Sequence, residues 1–282
     1  MSEPAATPTA NSQGYSVVIL TLNEERDLPR CLASLAGCND IVVLDSGSTD
    51  RTADVARDAG ARVLLRRFDN FAGQRNHAQR EISFRHPWVF HLDADEQMTP
   101  ALDAECRAAS ARTDVDGFFV APRMMWEGSW IRRSTDFPAW QARFVRAPEF
   151  EFVEVGHGQR EAPPMRMDRL HASYLHDLSS GGDQEWLERH RRYARAEARH
   201  LIEHGMALDW PELFSSDRLR RRRALKRLSY RLPGRPFLRF VYQYFLRGGF
   251  LDGRAGLHYC QLLSRYEAFT RTELKALRAA AA

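Results

Sequence analysis

The chain has 282 residues, of which 44% are hydrophobic and 28% are charged, and this composition excludes a largely disordered protein. The net charge of +4 is mild for the whole chain, although the basic excess is concentrated in the C-terminal third. The four cysteines form neither a CxxC pair nor a cluster with histidines, which argues against a disulfide framework or a zinc site and favours a reducing cytosol.

The first segment, residues 1–13, is rich in Ser, Thr, Pro, Ala and Asn, and we expect it to be disordered. It lacks the basic stretch followed by an apolar stretch that marks a secretory signal. Farther along the chain, no apolar run reaches the roughly 20 residues that a membrane-spanning helix requires.

Residues 15–122 alternate between short apolar runs and helical patterns. The predicted strands are 15–20, 41–45, 61–65 and 89–92, and the predicted helices are 24–36, 50–59 and 73–84. Asn23 is a suitable N-cap for the first helix, and Gly60 is a natural stop for the second. This alternation predicts an α/β fold with a mostly parallel sheet that is covered on both faces.

The second half of the chain has a different character. A region crowded with Trp, Phe and Arg follows Pro122 and predicts short strands and loops, which form either an ordinary aromatic core or the lining of a cleft. A long helix is predicted from Asp183 to His204. Residues 218–251 contain no Asp or Glu and interleave arginines with aromatic residues, which suits an anionic membrane surface or nucleic acid. The predicted segments are therefore 1–13, 14–122, 123–204 and a basic-aromatic helical extension, 205–282.

Acidic residues follow two of the predicted strands. Asp45 ends the second strand, and Asp93 and Asp95 follow the fourth. Because ligands bind beyond the carboxyl ends of parallel strands, we expect these carboxylates at a ligand-binding edge. If the strand conformation persists, Asp93 and Asp95 point to the same side and can share one Mg²⁺ or Mn²⁺. Taken alone, the same pattern is also typical of a solvated turn or a helix cap.

Other motifs narrow the choice of function. The sequence GQRNHA at 73–78 opens a predicted helix, whose N-terminus and Arg75 would attract phosphate unless this is an ordinary surface helix start. The first strand is not followed by GxGxxG, and neither GxxxxGK[ST] nor GxSxG occurs. These absences disfavour a dinucleotide-binding protein, a P-loop NTPase and a hydrolase with a nucleophile elbow.

Together these motifs resemble the family 2 glycosyltransferases, in particular bacterial members that build lipopolysaccharide core and other envelope polysaccharides. The segments that carry the resemblance are SVVI (16–19), TLNEE (21–25), IVVLDSGSTDRT (41–52), GQRNHA (73–78) and LDADE (92–96). Weaker similarities lie in QARF (141–144), GHG (156–158), the helix at 186–193 and GFLDGR (249–254).

The resemblance implies a glycosyltransferase type A fold, a nucleotide-diphosphate sugar donor and a divalent cation, Mg²⁺ or Mn²⁺. It also implies inversion at the anomeric carbon, in which an acceptor hydroxyl attacks while a general base removes its proton. Asp95 would bind the metal, and Asp93 would contact the metal or the ribose. The other substrate-binding residues that the resemblance implies are Thr21, Asn23, Glu24, Asp45, Ser46, Gly47, Gln74, Arg75, Asn76, Gln141 and Arg143.

The general base is where this sequence departs from the family pattern. Relatives often carry Pro-Asp ahead of an aromatic-Gln-x-Arg run, and this chain has Ala139 at the position of that Asp. Relatives also carry His-Glu where this chain has His157-Gly158. The candidate catalytic residues are therefore Asp136, His157 and Glu161, although a lone histidine in such a turn is more often structural.

We therefore predict a metal-assisted, inverting glycosyltransferase that transfers a sugar, such as a hexose, to a lipopolysaccharide, lipid-linked or other envelope glycan acceptor. The basic-aromatic segment predicts a cytoplasmic protein, peripheral at the inner face of the cytoplasmic membrane, with no nucleic-acid partner. One alternative is a nucleotidyltransferase acting on sugar phosphates, for which the acidic TLNEE loop is poorly suited. The other is a non-enzymatic binder of anionic polymers, which would leave the N-terminal acids without a role.

Overall fold

The computed structural model describes residues 14–155, 158–203, 210–230, 232 and 234–280, and the chain divides into two compact units. Unit 1 comprises residues 1–123 and 138–176, and unit 2 comprises residues 124–137 and 177–282. The segment predicted to be disordered, 1–13, lies outside the described residues. The segment boundaries at 122 and 204 stay predictions, and the return of the chain to unit 1 at Pro138 has no counterpart among them.

Unit 1 is built on a seven-stranded sheet. Its strands, in spatial order, are β12 (Met167–Arg169), β6 (Gly117–Val120), β9 (Gln141–Arg146), β4 (Trp88–Asp93), β1 (Ser16–Thr21), β2 (Ile41–Asp45) and β3 (Arg62–Leu65). The strands β4, β1, β2 and β3 are parallel neighbours, whereas β9 runs antiparallel to both β4 and β6. The predicted α/β fold with a mostly parallel sheet is confirmed.

Smaller ladders and four helices complete unit 1. The strands β10 (Phe152–Val155) and β11 (Gly158–Glu161) form an antiparallel pair, and β5 (Glu96–Gln97) pairs antiparallel with the start of β13 (Leu175–Asp177). The helices are α1 (Leu28–Ala33), α2 (Thr52–Asp58), α3 (Phe71–Glu81) and α4 (Pro100–Ala109).

The central strand β1 is buried on both faces of the sheet. Val17 lies in a cluster with Leu28 of α1 and Leu102 of α4. Its neighbour Val18 points to the opposite face and lies in a second cluster with Ala78 of α3. Because successive side chains of a strand alternate between faces, a strand covered on both sides needs an uninterrupted apolar run, and this explains the sequence of β1.

Three helix starts differ from the prediction. The helix α2 begins at Thr52 rather than at residue 50, and the other two differences have a local cause. Asn23 is not the N-cap of α1, which begins at Leu28 after Asp27. Asn23 instead adopts a left-handed backbone conformation with φ of 58° and binds another loop, as described below. The third helix begins at Phe71 rather than at Gly73, because the side chain of Asn70 caps it.

Unit 2 is mostly helical. It contains the hairpin of β7 (Arg123–Trp126) and β8 (Ser129–Trp130), whose turn residues Glu127 and Gly128 both have positive φ. The remaining elements are α5 (Gly182–Glu203), α6 (Trp210–Leu213), α7 (Arg218–Ser229), α8 (Arg235–Val241), a π-helical turn (Tyr242–Leu246), a 3-10 turn (Gly249–Asp252) and α9 (Gly253–Ala280).

The helices α5 and α9 pack together around a buried cluster that includes Trp186 and Leu262. The observed bounds of α5, Gly182–Glu203, agree with the long helix predicted from the sequence. None of the described helices combines the length and the apolar character needed to cross a bilayer.

Candidate functional site

The carboxyl ends of three strands lie side by side in unit 1. Thr21 ends β1, Asp45 ends β2 and Asp93 ends β4, and the parallel register pairs Thr21 with Asp45 and Leu20 with Asp93. This is the edge of an α/β sheet at which ligands bind, so the polar groups gathered here form the candidate site.

Asp45 organises the loop that follows β2. Its carboxylate accepts hydrogen bonds from the hydroxyls of Thr21 (2.9 Å) and Ser48 (2.5 Å) and from the backbone N–H groups of Gly47 (3.0 Å) and Ser48 (2.8 Å). Burial alone would raise the pKa of Asp45, but the hydrogen bonds, of which those from Ser48 are the strongest, hold it below the usual value. Four donors already occupy this carboxylate, so its predicted role in nucleotide binding stays a prediction.

The loop after β1 is tied to the loop after β2. The side-chain oxygen of Asn23 accepts a hydrogen bond from the backbone of Thr49 (2.8 Å), and the backbone of Asn23 donates to the Ser48 hydroxyl (2.8 Å). The backbone N–H of Glu24 donates to the hydroxyl of Thr52 (2.7 Å). The left-handed conformation of Asn23, which Asn tolerates better than most residues, makes this contact possible. The TLNEE loop (21–25) and the DSGSTD loop (45–50) thus form one ordered structure, which we call the rim.

Two buried arginines hold the carboxylate of Asp93. Arg75 donates to its Oδ1 at 2.9 Å, and Arg143 donates to its Oδ2 at 3.0 Å. Arg143 also binds the buried carboxylate of Glu96 at 2.8 Å. Burial opposes the charged form of Asp93, but the positive charges of Arg143 and Arg75 keep its pKa below the usual value. Arg75 is therefore not at an exposed helix N-terminus, as predicted, but in the interior beneath Asp93.

The DxD segment does not keep the strand conformation. The strand β4 ends at Asp93, and the chain turns at Ala94 and Asp95 before β5 begins. The condition under which strand alternation would point Asp93 and Asp95 to the same side is therefore not met. The two carboxylates have different partners, arginines for Asp93 and a histidine for Asp95.

His176 lies beside Asp95, and sequence reasoning did not identify it. The pairing of β13 with β5 places His176 opposite Glu96, and its Nε2 lies 3.2 Å from Asp95 Oδ2. Burial would lower the pKa of His176, but the hydrogen bond and charge of Asp95, with the charge of Glu96, raise it to about 9. The two partners are 81 residues apart along the chain, so only strand pairing reveals them.

A divalent cation would have to displace the proton of His176 before this pair could hold it, because both ring nitrogens of a protonated imidazole carry hydrogen. Within the described ranges, no group of three or more His, Cys, Asp and Glu side chains is arranged to hold a metal. Asp95 and His176 nevertheless bring one carboxylate and one imidazole together, and Mn²⁺ or Mg²⁺ commonly takes its remaining ligands from phosphate and water. Asp93 fits less well, because arginines already bind both of its oxygens.

Three amide side chains from the motifs have internal partners. Gln74 donates to the hydroxyl of Ser46 at 3.3 Å. Asn76 both donates to and accepts from the backbone of Phe152, at 2.8 Å each, and so anchors β10. Gln141 accepts a hydrogen bond from Arg143 at 3.0 Å. These contacts order the site, and direct contact of these side chains with substrate stays a prediction.

The three candidate bases fall in different places. Glu161 ends β11 in unit 1, where it pairs with Phe152 in the ladder. Asp136 belongs to unit 2, is 56% exposed and lies 3.2 Å from Arg247. His157 lies outside the described residues. The choice among them stays a prediction.

The model of Glycosyl transferase family 2 matches residues 16–155, which include both loops of the rim and the DxD segment. Residues 16–155 are therefore a glycosyl transferase family 2 domain. The resemblance found in the sequence is thereby confirmed, and the fold is an α/β fold of the glycosyltransferase type A class. Membership of this family favours the glycosyltransferase hypothesis over both alternatives.

Named relatives support the same family. The chain is 39% identical over 114 residues to a lipopolysaccharide core biosynthesis glycosyltransferase, LpsC, of Rhizobium meliloti, covering 38% of this chain and 42% of the relative. It is 32% identical over 106 residues to an uncharacterized glycosyltransferase of Rickettsia typhi, covering 37% and 36% of the two chains. The chain thus spans less than half the length of either relative.

Solved structures show a distant likeness. A structure of S. aureus TarS 1-349 aligns with 95% of this chain and 92% of its own, with a TM-score of 0.41 and 16% identity. Glucosyl-3-phosphoglycerate synthase of Mycobacterium tuberculosis, solved with Mn²⁺ and UDP, covers 44% of this chain and 47% of its own, with a TM-score of 0.33 and 21% identity.

Proposed function

We propose that this protein is an inverting glycosyltransferase that moves a sugar from a nucleotide-diphosphate donor to a hydroxyl of a lipopolysaccharide, lipid-linked or other envelope glycan acceptor. The observation that carries the proposal is the ordered rim of Asn23 and Asp45 beside the Asp93–Asp95 segment, at one carboxyl edge of the sheet in a family 2 domain. The LpsC relative supports an envelope glycan as the acceptor class.

The residues at this edge of the sheet have different proposed roles. The rim is held rigid by internal hydrogen bonds, so its outward backbone and side-chain groups can bind a nucleotide without first being ordered. Arg75 and Arg143 fix the position and charge of Asp93, whose side chain remains 29% exposed. Asp95 and His176 would hold Mg²⁺ or Mn²⁺, which when bound supplies positive charge beside the departing nucleotide diphosphate.

The transfer also requires a group that removes the proton of the acceptor hydroxyl. Glu161, Asp136 and His157 are the carboxylates and imidazole that the family pattern leaves as candidates. Replacing each in turn separates them, because loss of a general base lowers kcat by about 10²–10⁴-fold without weakening donor binding.

The direct test replaces Asp95 with Asn and His176 with Gln. The wild-type protein, titrated with Mn²⁺ and a panel of UDP- and GDP-sugars, is expected to show a rise in Tm with at least one donor. Loss of a group that only hydrogen-bonds to a metal ligand weakens metal binding about 10–100-fold, so loss of either proposed ligand should weaken the Mn²⁺-dependent response at least about tenfold.

Asp54→Asn is the matched control, because Asp54 is an exposed carboxylate on α2 that pairs only with Arg57 among the described contacts. Binding of Mn²⁺ can also be followed by its electron paramagnetic resonance signal, independently of catalysis. An Asp95→Asn protein that binds Mn²⁺ and donor as the wild type does would refute the metal assignment.

The surface of unit 2 supports the proposed attachment to a membrane. Large apolar side chains that are 41–86% exposed occur between residues 210 and 251: Trp210, Phe214, Leu225, Leu232, Phe237, Leu238, Tyr242, Phe245, Leu246, Phe250 and Leu251. They lie in a stretch whose charged residues from 218 to 251 are all basic. Apolar and aromatic side chains interleaved with arginine suit the headgroup region of an anionic bilayer, and the proposed site is the inner face of the cytoplasmic membrane.

Sedimentation with lipid vesicles tests this attachment. The protein is expected to bind phosphatidylglycerol vesicles and not phosphatidylcholine vesicles, and Phe245→Ser with Leu246→Ser should release it. Both side chains are more than half exposed, so the double variant should fold normally. Vesicle binding that is unchanged in this variant, or salt-sensitive binding to RNA in place of vesicles, would contradict the membrane proposal.

A further inference from the structure

Unit 2 contains a cavity of about 300 Å³ that the family motifs do not account for. Its lining residues are Arg132, Arg133, Phe137 and Arg247. The first three lie in the loop that follows β8, and Arg247 follows the π-helical turn. Three of the four lining side chains are therefore permanently charged cations, and they come from two separate parts of the chain.

The loop that carries the cavity is held in place by the turn at 249–252. The carboxylate of Asp252 accepts hydrogen bonds from the backbone of Arg133 (2.8 Å) and of Ser134 (2.7 Å) and from the Ser134 hydroxyl (2.8 Å). A Cβ atom at Gly256 would lie 2.3 Å from the carbonyl oxygen of Gly249, so only glycine permits this close approach. The GFLDGR motif thus has a structural role in building the cavity.

The arginines of the cavity have few acidic partners. Arg247 forms an ion pair with Asp136 at 3.2 Å and donates to the backbone of Thr135. No carboxylate of the described residues lies within 4.0 Å of the guanidinium of Arg132 or of Arg133. The carboxylate of Asp252 is occupied by the loop. Within the described part of the chain, the three arginines of the cavity have one carboxylate partner, Asp136, between them. The cavity therefore has an excess of positive charge, which an anionic ligand would neutralise.

Aromatic rings form the other part of the cavity environment. The guanidinium carbon of Arg132 lies 5.3 Å from the ring centre of Trp130 and 5.5 Å from that of Phe137. The two rings meet edge to face at 5.1 Å. These contacts restrict the Arg132 side chain, so less conformational entropy is lost when it binds an anion. The Phe137 ring, which lines the cavity, also offers an apolar surface to the rest of a ligand.

We propose that this cavity binds the phosphate group of a phosphorylated saccharide. Arginine matches phosphate because its planar guanidinium group can donate to two oxygens at once. The Phe137 ring suits the apolar C–H face of a sugar ring. The volume lies at the lower end of the range for small-molecule pockets, which fits one phosphorylated sugar unit better than a whole nucleotide-sugar. If the proposed function holds, on which this assignment rests, the phosphorylated saccharide is a sugar unit of the acceptor.

The experiment uses the full chain and glucose 6-phosphate as the probe, with glucose and inorganic phosphate as comparison ligands. At ten times its Kd, glucose 6-phosphate is expected to raise Tm by about 3 °C. Glucose should have no effect, and inorganic phosphate should bind at least several-fold more weakly. Equal stabilisation by inorganic phosphate would overturn the saccharide assignment.

The variant Arg132→Gln with Arg133→Gln is expected to abolish the response to glucose 6-phosphate. Arg271→Gln, which removes an exposed arginine of α9 outside the cavity lining, is expected to retain it. Because both arginines of the double variant are exposed, it should fold, and its Tm without ligand checks this. An equal loss in Arg271→Gln, or an unchanged response in the double variant, would overturn the proposal.

A second readout separates this proposal from the proposed function. Stabilisation by the best nucleotide-sugar with Mn²⁺ should persist in the double variant and be lost in Asp95→Asn, and glucose 6-phosphate should show the opposite pattern. A donor response without any glucose 6-phosphate response would contradict the cavity assignment alone. A glucose 6-phosphate response without any donor response would contradict the proposed donor site alone.

Discussion

The buried arginines of unit 1 and the cavity arginines of unit 2 differ in burial and in ion pairing. Arg75 and Arg143 are 1% and 4% exposed, and both contact the carboxylate of Asp93. Arg132 and Arg133 are exposed, and neither has a carboxylate partner among the described residues. Burying a charge is tolerable only when it is paired, so the first pair serves to position Asp93. An exposed, unpaired cluster has no such constraint and is suited to binding a ligand.

The largest expected effect comes from removing a buried arginine. Arg143→Gln leaves the carboxylates of Asp93 and Glu96 without their shared cation, and breaking a buried ion pair in this way costs about 3–5 kcal/mol of unfolding free energy. Urea denaturation measures the loss. The matched change in unit 2, Arg133→Gln, should alter stability by less than about 0.5 kcal/mol. Similar losses of stability in the two variants would contradict the distinction between buried, paired arginines and exposed, unpaired ones.

A smaller loss is expected from Gly256→Ala, which tests how the unit 2 cavity is built. An added methyl group would lie 2.3 Å from the Gly249 carbonyl oxygen, which is backbone and cannot rotate away. We expect a loss of about 1–3 kcal/mol, as for other overpacked sites. Gly37→Ala is the control, because its added methyl group would meet only the end of the Arg107 side chain, at 3.3 Å. A stabilised Gly256→Ala protein would contradict the close approach.

The smallest effect concerns pH and the core of unit 2. The ring of His190 stacks on Trp186, and burial lowers its pKa to about 4. Between pH 6.5 and 4, His190 is therefore protonated in the unfolded chain, where its pKa is near 6.5, and neutral in the folded chain. Unfolding free energy should fall across this window as the pH decreases, by about 1 kcal/mol after allowance for partial exposure.

Comparison with His190→Gln isolates this contribution, since the carboxylates titrate alike in both proteins. The difference in stability between the two proteins should shrink as the pH falls from 6.5 to 4. The nearby positive charge of Arg189 acts in the same direction as burial. A difference that is constant with pH would show that the pKa of His190 is the same in the folded and the unfolded chain.

Local pattern was sufficient for the parallel sheet and for the motifs at its edge. The apolar runs of β1, β2 and β4 and the helix α5 were predictable because burial on two faces, or on one stripe, leaves a periodic trace in nearby residues. The acids at the strand ends were visible for the same reason. The helix starts were less predictable, since Asn23 binds a more distant loop instead of capping a helix, and Asn70 caps the third helix, which begins two residues before the predicted start.

Only the tertiary structure decided what each polar residue contacts. The pairing of Asp95 with His176, the burial of Arg75 beneath Asp93 and the cavity lined by Arg132 and Arg247 all join residues far apart along the chain. Periodicity is a property of neighbouring residues, whereas charge pairing depends on where strands and helices meet in space. The sequence by itself therefore determined the sheet and its ligand-binding edge, and the folded chain determined which charges are satisfied internally and which remain for a ligand.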